Sequence, residues 1–155
     1  VGVTVGVNKL SVVHSDSGGI TIAFPDVCKT PSPAGPIPIP YPNIAKSSDT
    51  AKGTSKVKCD GNSVCVKDSN FSMSTGDEAG SAGGGVVSNK IKGKAEFVNF
   101  SFDVKFEGKN VPRALDLMFH NDKNTPPFPL IQQPVIGIQG DERSLCPCCN
   151  KKYKE

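Results

Sequence analysis

No apolar run in this sequence approaches the roughly 18 residues needed to cross a bilayer, and no basic-then-apolar leader opens it. The chain is therefore expected to be soluble, with any export following a route that needs no signal peptide. It also lacks an HExxH pair, a nucleophile elbow and the Gly-Lys-Ser/Thr ending that puts a lysine and a hydroxyl on bound phosphates. Zinc-protease, serine-hydrolase and nucleotide-binding chemistry are thereby disfavoured. Charge of one sign is missing too, because 18 basic residues face 15 acidic ones and only Lys151, Lys152 and Lys154 cluster. A net charge of +3 is too weak to argue for nucleic acid.

What the sequence does have is backbone punctuation: 16 Gly and 13 Pro among 155 residues, with 36% hydrophobic residues arranged in short, interrupted, Val-rich segments. This predicts one small all-β domain rich in turns, with irregular Pro/Gly-rich loops. Val57-Lys58-Cys59-Asp60-Gly61-Asn62-Ser63-Val64 matches Val104-Lys105-Phe106-Glu107-Gly108-Lys109-Asn110-Val111 in pattern, each an extended run, an acidic-Gly turn and a returning valine. Both read as β-hairpins. Residues 4–13 form a looser third copy. Because one such hairpin cannot bury its own apolar face, three of them predict a pseudo-threefold cone or prism in which each packs on the others.

Between the first two hairpins, residues 24–43 carry alternating prolines that remove ladder donors and fix φ, so an extended, polyproline-like stretch is expected. Ile37, Ile39 and Tyr41 within it argue against a solvated linker. The Gly-rich residues 72–88 read as a close-packed irregular loop. Adjacent Asp77 and Glu78 carry no mark of an acid/base pair. After the third hairpin, Pro126, Pro127, Pro129 and Pro134 interrupt any continuing strand, which sets a domain over 1–125 and an extension over 126–155.

His14 and His120 each follow the returning strand of a hairpin, and Cys28 lies in the loop after the first. If equivalent hairpin ends converge, the three form a mixed His/Cys set of the kind tetrahedral Zn²⁺ prefers. Isolated histidines and a buried free cysteine are the plainer account of the residues alone. A Cys28 nucleophile with a histidine base is disfavoured, since no oxyanion-hole or cleft signature accompanies it. Cys59 and Cys65 are further thiols in the second repeat. Cys146 and Cys149 have the Cys-x-x-Cys spacing of half a zinc site, and suit either the start of a further metal-binding domain or a tail with reactive thiols.

The run Ala23-Phe24-Pro25-Asp26-Val27-Cys28-Lys29-Thr30-Pro31 leading into Pro38-Ile39-Pro40-Tyr41-Pro42-Asn43 resembles the PAAR-like domain of type VI secretion. Gly76-Asp77-Glu78-Ala79-Gly80, Gly83-Gly84-Gly85-Val86-Val87-Ser88 and Asp116-Leu117-Met118-Phe119-His120-Asn121 extend the likeness over roughly residues 5–125. The resemblance implies a β-rich cone that caps a trimeric valine-glycine-repeat spike, one copy per trimer, and carries a C-terminal effector or cargo. It also implies a structural Zn²⁺ near the apex, with His14, Cys28 and His120 as the matching ligands. The fourth ligand stays open, because Pro112 stands where similar proteins can carry Cys. The expected protein is a non-enzymatic adaptor, assembled in the bacterial cytoplasm and then secreted by a contractile system. The competing reading is the N-terminal part of a metal-dependent toxin whose catalytic domain begins near Cys146, and a zinc-stabilised extracellular binding module is a third.

Overall fold

Three two-residue turns with left-handed backbone define one end of the molecule. The computed structural model describes residues 2–133. Gly6–Val7 pairs with Leu10–Ser11, Lys58–Cys59 with Asn62–Ser63, and Lys105–Phe106 with Lys109–Asn110, all antiparallel. The turn residues between them have positive φ at both positions: Asn8 and Lys9 (52° and 69°), Asp60 and Gly61 (50° and 78°), Glu107 and Gly108 (51° and 79°). Such turns match the right-handed twist of the flanking strands. Lys9 takes the place that glycine fills in the other two copies, which is why the first repeat is the least visible in the sequence.

No hairpin of this size closes a core alone, and the three close one jointly. Val3, Val7, Val12, Cys59, Val64 and Val111 form a single buried cluster, with Val5, Val104 and Phe106 packed against it. Polar contacts then run around the ring in one sense. The Asp60 turn accepts from Thr4 ahead of the first hairpin, through backbone N at 3.1 Å and through the hydroxyl. The Glu107 turn accepts from Lys56 N at 2.6 Å and Ser55 N at 3.0 Å ahead of the second. The Asn8 turn donates to Asp103 at 3.0 Å ahead of the third. Backbone bonds also join each pair of hairpins: Cys65 N to Val13 O, Lys67 N to Asn110 O, and Ala114 N to Ser11 O. The pseudo-threefold arrangement expected from the repeat is thus present, and the molecule is all-β; among the described residues the one helical element is the single turn Ser47–Asp49. No helix among them is long and apolar enough to cross a membrane.

Beneath the prism the long strand Ile20–Thr30 pairs antiparallel with Ile37–Lys46, and the register shifts between Ala23 and Asp26. The Pro-rich stretch is therefore extended, as expected, and lies in a sheet. Pro38 and Pro40 sit opposite Lys29 and Val27, while Ile37, Ile39 and Tyr41 sit opposite Thr30, Cys28 and Asp26. Alternate residues of a strand direct their backbone groups to opposite edges, so the prolines present their missing donors to the edge that has no partner there. On the far side Ile37–Lys46 pairs only at Ile44 and Ala45, with Ser74–Thr75.

A five-stranded sheet, ordered Phe128–Pro129, Leu117–Phe119, Ala95–Phe97, Asn70–Phe71, Thr50–Ala51, completes the body. It covers a second core of Val13, Ala45, Cys65, Phe71, Ala95, Phe97, Met118 and Leu130, in which the Phe71 and Phe97 rings meet edge to face with centroids 5.8 Å apart. Packing continues past residue 125, where the expected extension begins. Phe128–Pro129 is an edge strand, where proline is tolerated, Leu130 is fully buried, and Gln132 donates to Ser11 Oγ and Val12 O. Residues 134–155, with Cys146 and Cys149, lie outside the described residues.

Candidate functional site

The strand Ile20–Thr30 places Asp26 and Cys28 on one face, because residues two apart in an extended chain point the same way. The Gly-rich loop delivers Asp77 to the same spot, after Gly76 turns the chain at φ 127°. All three side chains are fully buried. Cys28 Sγ lies 3.6 Å from Asp26 Oδ1 and 4.0 Å from Asp77 Oδ2. Among the described residues these three form the group whose His, Cys, Asp or Glu ligand atoms all fall within 4.8 Å of one another.

Carboxamides surround the cluster. Asn43 Nδ2 donates to Asp26 Oδ2 at 2.5 Å, Asn124 Nδ2 to Asp26 Oδ1, and Asn121 Nδ2 approaches Asp26 Oδ1 at 3.4 Å and Cys28 Sγ at 3.8 Å. Lys92 N donates to both oxygens of Asp77 at 3.0 Å. Ion pairs among the described residues involve other acids, so no basic side chain neutralises Asp26 or Asp77. Burial pushes the Asp77 carboxyl up to about 6, aided by the nearby Asp26 charge and resisted by the Lys92 amide. Burial, then Asp26 and Asp77, push the Cys28 thiol up to about 12.

The residues expected from the sequence are distributed differently. His14 belongs to the hairpin prism, with Nε2 3.2 Å from Asp60 Oδ2 and Nδ1 accepting from Asp16 N at 3.2 Å. His120 is buried with Nε2 3.0 Å from Thr21 Oγ1 and Nδ1 3.5 Å from Asn43 Oδ1. Cys59 packs in the prism core and Cys65 in the larger core. Thus the structure does not gather His14, Cys28 and His120 into one ligand group; His120 reaches the buried cluster through the Asn43 side chain and, by its backbone carbonyl, through Asn124. Asp26, Asp77, Asn43, Asn121 and Asn124 are the residues that sequence reasoning passed over. The Asp26-x-Cys28 spacing in an extended run was the available signal. As for the zinc that the resemblance implies, two carboxylates and one thiolate are ligand types Zn²⁺ accepts, and Asp26, Cys28 and Asp77 bring them within 4.8 Å of one another, so this donor set suits it.

Burial holds His120 near 4, below its ordinary 6.5, with the Asp26 charge opposing. A histidine depressed in the folded state leaves stability intact above pH 6.5 and removes it as pH falls toward 4, by on the order of 3 kcal/mol at the acid end. Urea unfolding from pH 7 to 4 should therefore show His120→Gln losing less stability than the parent protein, and parallel losses would contradict the assignment.

Comparison with known proteins adds two findings. The family described as "Toxin PAAR-like domain" matches residues 19–127. The chain is also 42% identical over 159 aligned residues to "DNase toxin Tse7" of Pseudomonas aeruginosa, covering 96% of this chain and 40% of that protein. No solved structure matches it. The relative corrects the expectation of a purely non-enzymatic protein, since nearly the whole chain aligns with part of a protein named as an enzyme. The chain spans well under half of that relative's length.

Proposed function

The chain belongs to the toxin PAAR-like domain family, and from that premise we propose that it is the delivery portion of a DNA-cleaving toxin, seated on the tip of a contractile secretion spike. The family membership and the likeness to a named DNase toxin support the toxin half of this reading. One structural observation supports the spike half: three hairpins joined head to tail by equivalent contacts through Thr4, Ser55–Lys56 and Asp103. A trimeric valine-glycine-repeat spike ends in three identical strand edges, and a single asymmetric chain meets them all only if it offers three near-equivalent surfaces. The cyclic prism offers them. Contact of this kind works through edge pairing and apolar matching. In this reading the protein is assembled in the bacterial cytoplasm and leaves with the spike.

Light scattering on the chain mixed with the spike trimer of its own organism tests the geometry. One chain per trimer is the expected mass; three chains per trimer, or no complex, would contradict it.

A further inference from the structure

We propose that Asp26, Cys28 and Asp77 together hold one divalent transition-metal ion of the Zn²⁺ class. The site lies apart from the prism core, takes no ligand from either histidine, and does not require spike binding. Its basis is the donor geometry. An oxygen at about 2.1 Å and a sulfur at about 2.3 Å from a tetrahedral Zn²⁺ stand about 3.6 Å apart, and the Cys28 sulfur lies 3.6 and 4.0 Å from the two carboxylates. The three donors come from two segments already fixed by sheet pairing: Cys28 opposes Ile39 on one side and Gly85 on the other.

The surroundings are those of charged ligands. Asn124 Oδ1 is occupied by Val87 N at 2.8 Å and Ser88 N at 3.2 Å, and Asn121 Oδ1 by Gly93 N at 2.9 Å. With their oxygens pinned, both amides face the cluster with Nδ2: Asn121 donates to Lys90 O at 2.8 Å and also approaches Asp26 and the Cys28 sulfur, and Asn124 donates to Val27 O at 3.1 Å as well as to Asp26. Ligating carboxylates and thiolates are held by outer hydrogen bonds of this sort. Charge balance points the same way. Two buried carboxylates without a basic partner cost several kcal/mol each, and amide dipoles offset only part of that. A proton shared between Asp26 and Asp77 removes one negative charge. A divalent ion balances both and also favours the Cys28 thiolate.

The experiment uses the whole chain carrying Cys146→Ser, Cys148→Ser and Cys149→Ser, so that the tail thiols bind nothing. After stripping with chelator, Co²⁺ is titrated in and then displaced by Zn²⁺. We expect about one equivalent of Co²⁺ per chain with a near-ultraviolet thiolate-to-cobalt band, and a melting temperature raised by either ion. Cys28→Ser should abolish the band, and Asp77→Asn, nearly isosteric and free of charge, should abolish binding while the protein stays folded. Cys59→Ser and His14→Gln should leave binding unchanged. Less than about a tenth of an equivalent bound, a band that survives Cys28→Ser, or an Asp77→Asn protein that still binds the ion would each overturn the site. So would a melting temperature that Asp77→Asn raises while Zn²⁺ leaves the parent unchanged, since that is the signature of a shared proton.

Discussion

Asp26→Ala, measured in chelator, is expected to lower stability by on the order of 4 kcal/mol, among the largest losses for any polar substitution in the chain. Asp26 is fully buried and accepts from the side-chain amides of Asn43 and Asn124, with Asn121 nearby. Alanine offers no acceptor: Asn124 and Asn121 keep the Val27 and Lys90 carbonyls, but the amide hydrogens aimed at Asp26 lose their partner, and each buried donor so left costs about 1–3 kcal/mol. Against a typical total of about 5–15 kcal/mol, such a loss leaves a marginal fold. Asp26→Asn is the informative control. It keeps the shape and one acceptor oxygen, and it removes the repulsion that helps raise the Asp77 carboxyl. Its loss should be clearly smaller. Equal urea midpoints for the two variants would show that the amides around Asp26 do not depend on it.

Gly76→Ala should be comparably severe, at about 3 kcal/mol or more, for a different reason. Gly76 sits at φ 127°, which side-chain-bearing residues rarely adopt, and a Cβ built there falls inside the radius of the Pro42 carbonyl oxygen, with Asn43 Cα close behind. Backbone atoms of a paired strand cannot move aside as a flexible side chain would. Since Asp77 is the next residue, any local shift also displaces a carboxylate from the buried cluster. Gly61→Ala provides the comparison: its φ is also positive, at 78°, yet nothing lies within 4 Å of the added carbon. That variant should lose about 1 kcal/mol, the ordinary conformational penalty. Similar thermal midpoints for the two would remove the steric argument.

The hairpins were legible because Asp60-Gly61 and Glu107-Gly108 advertise a turn with two left-handed residues, and the register of valines around them fixed the repeat. The extended course of the Pro-rich stretch was legible from its alternating prolines; its pairing in a sheet with Ile20–Thr30 was not. Strand pairing over long separations was not, and it decides the site. Counting from the aligned Val12, Val64 and Val111, His14 corresponds to Val66 and Arg113, so His120 is not its counterpart and the two need not converge. Meanwhile the strand Ile20–Thr30 carries Cys28 roughly 25 Å beyond Ile20. Cysteine and histidine are rare, soft ligands, whereas Asp26 and Asp77 look in the sequence like ordinary solvated acids, and only the fold buries them. Proline interrupts strands without excluding an edge strand, which is why Phe128–Pro129 can close the five-stranded sheet.

Carriage of this chain on a contractile spike is the function proposed for it. It is tested most directly by tagging the protein in its own organism and measuring it in the culture medium, with and without a working sheath, while a cytoplasmic marker controls for lysis. The prediction is release that requires the sheath and the spike trimer, and that falls to background when Asp26→Ala or Gly76→Ala disrupts the module. Equal release from cells lacking the sheath would contradict it.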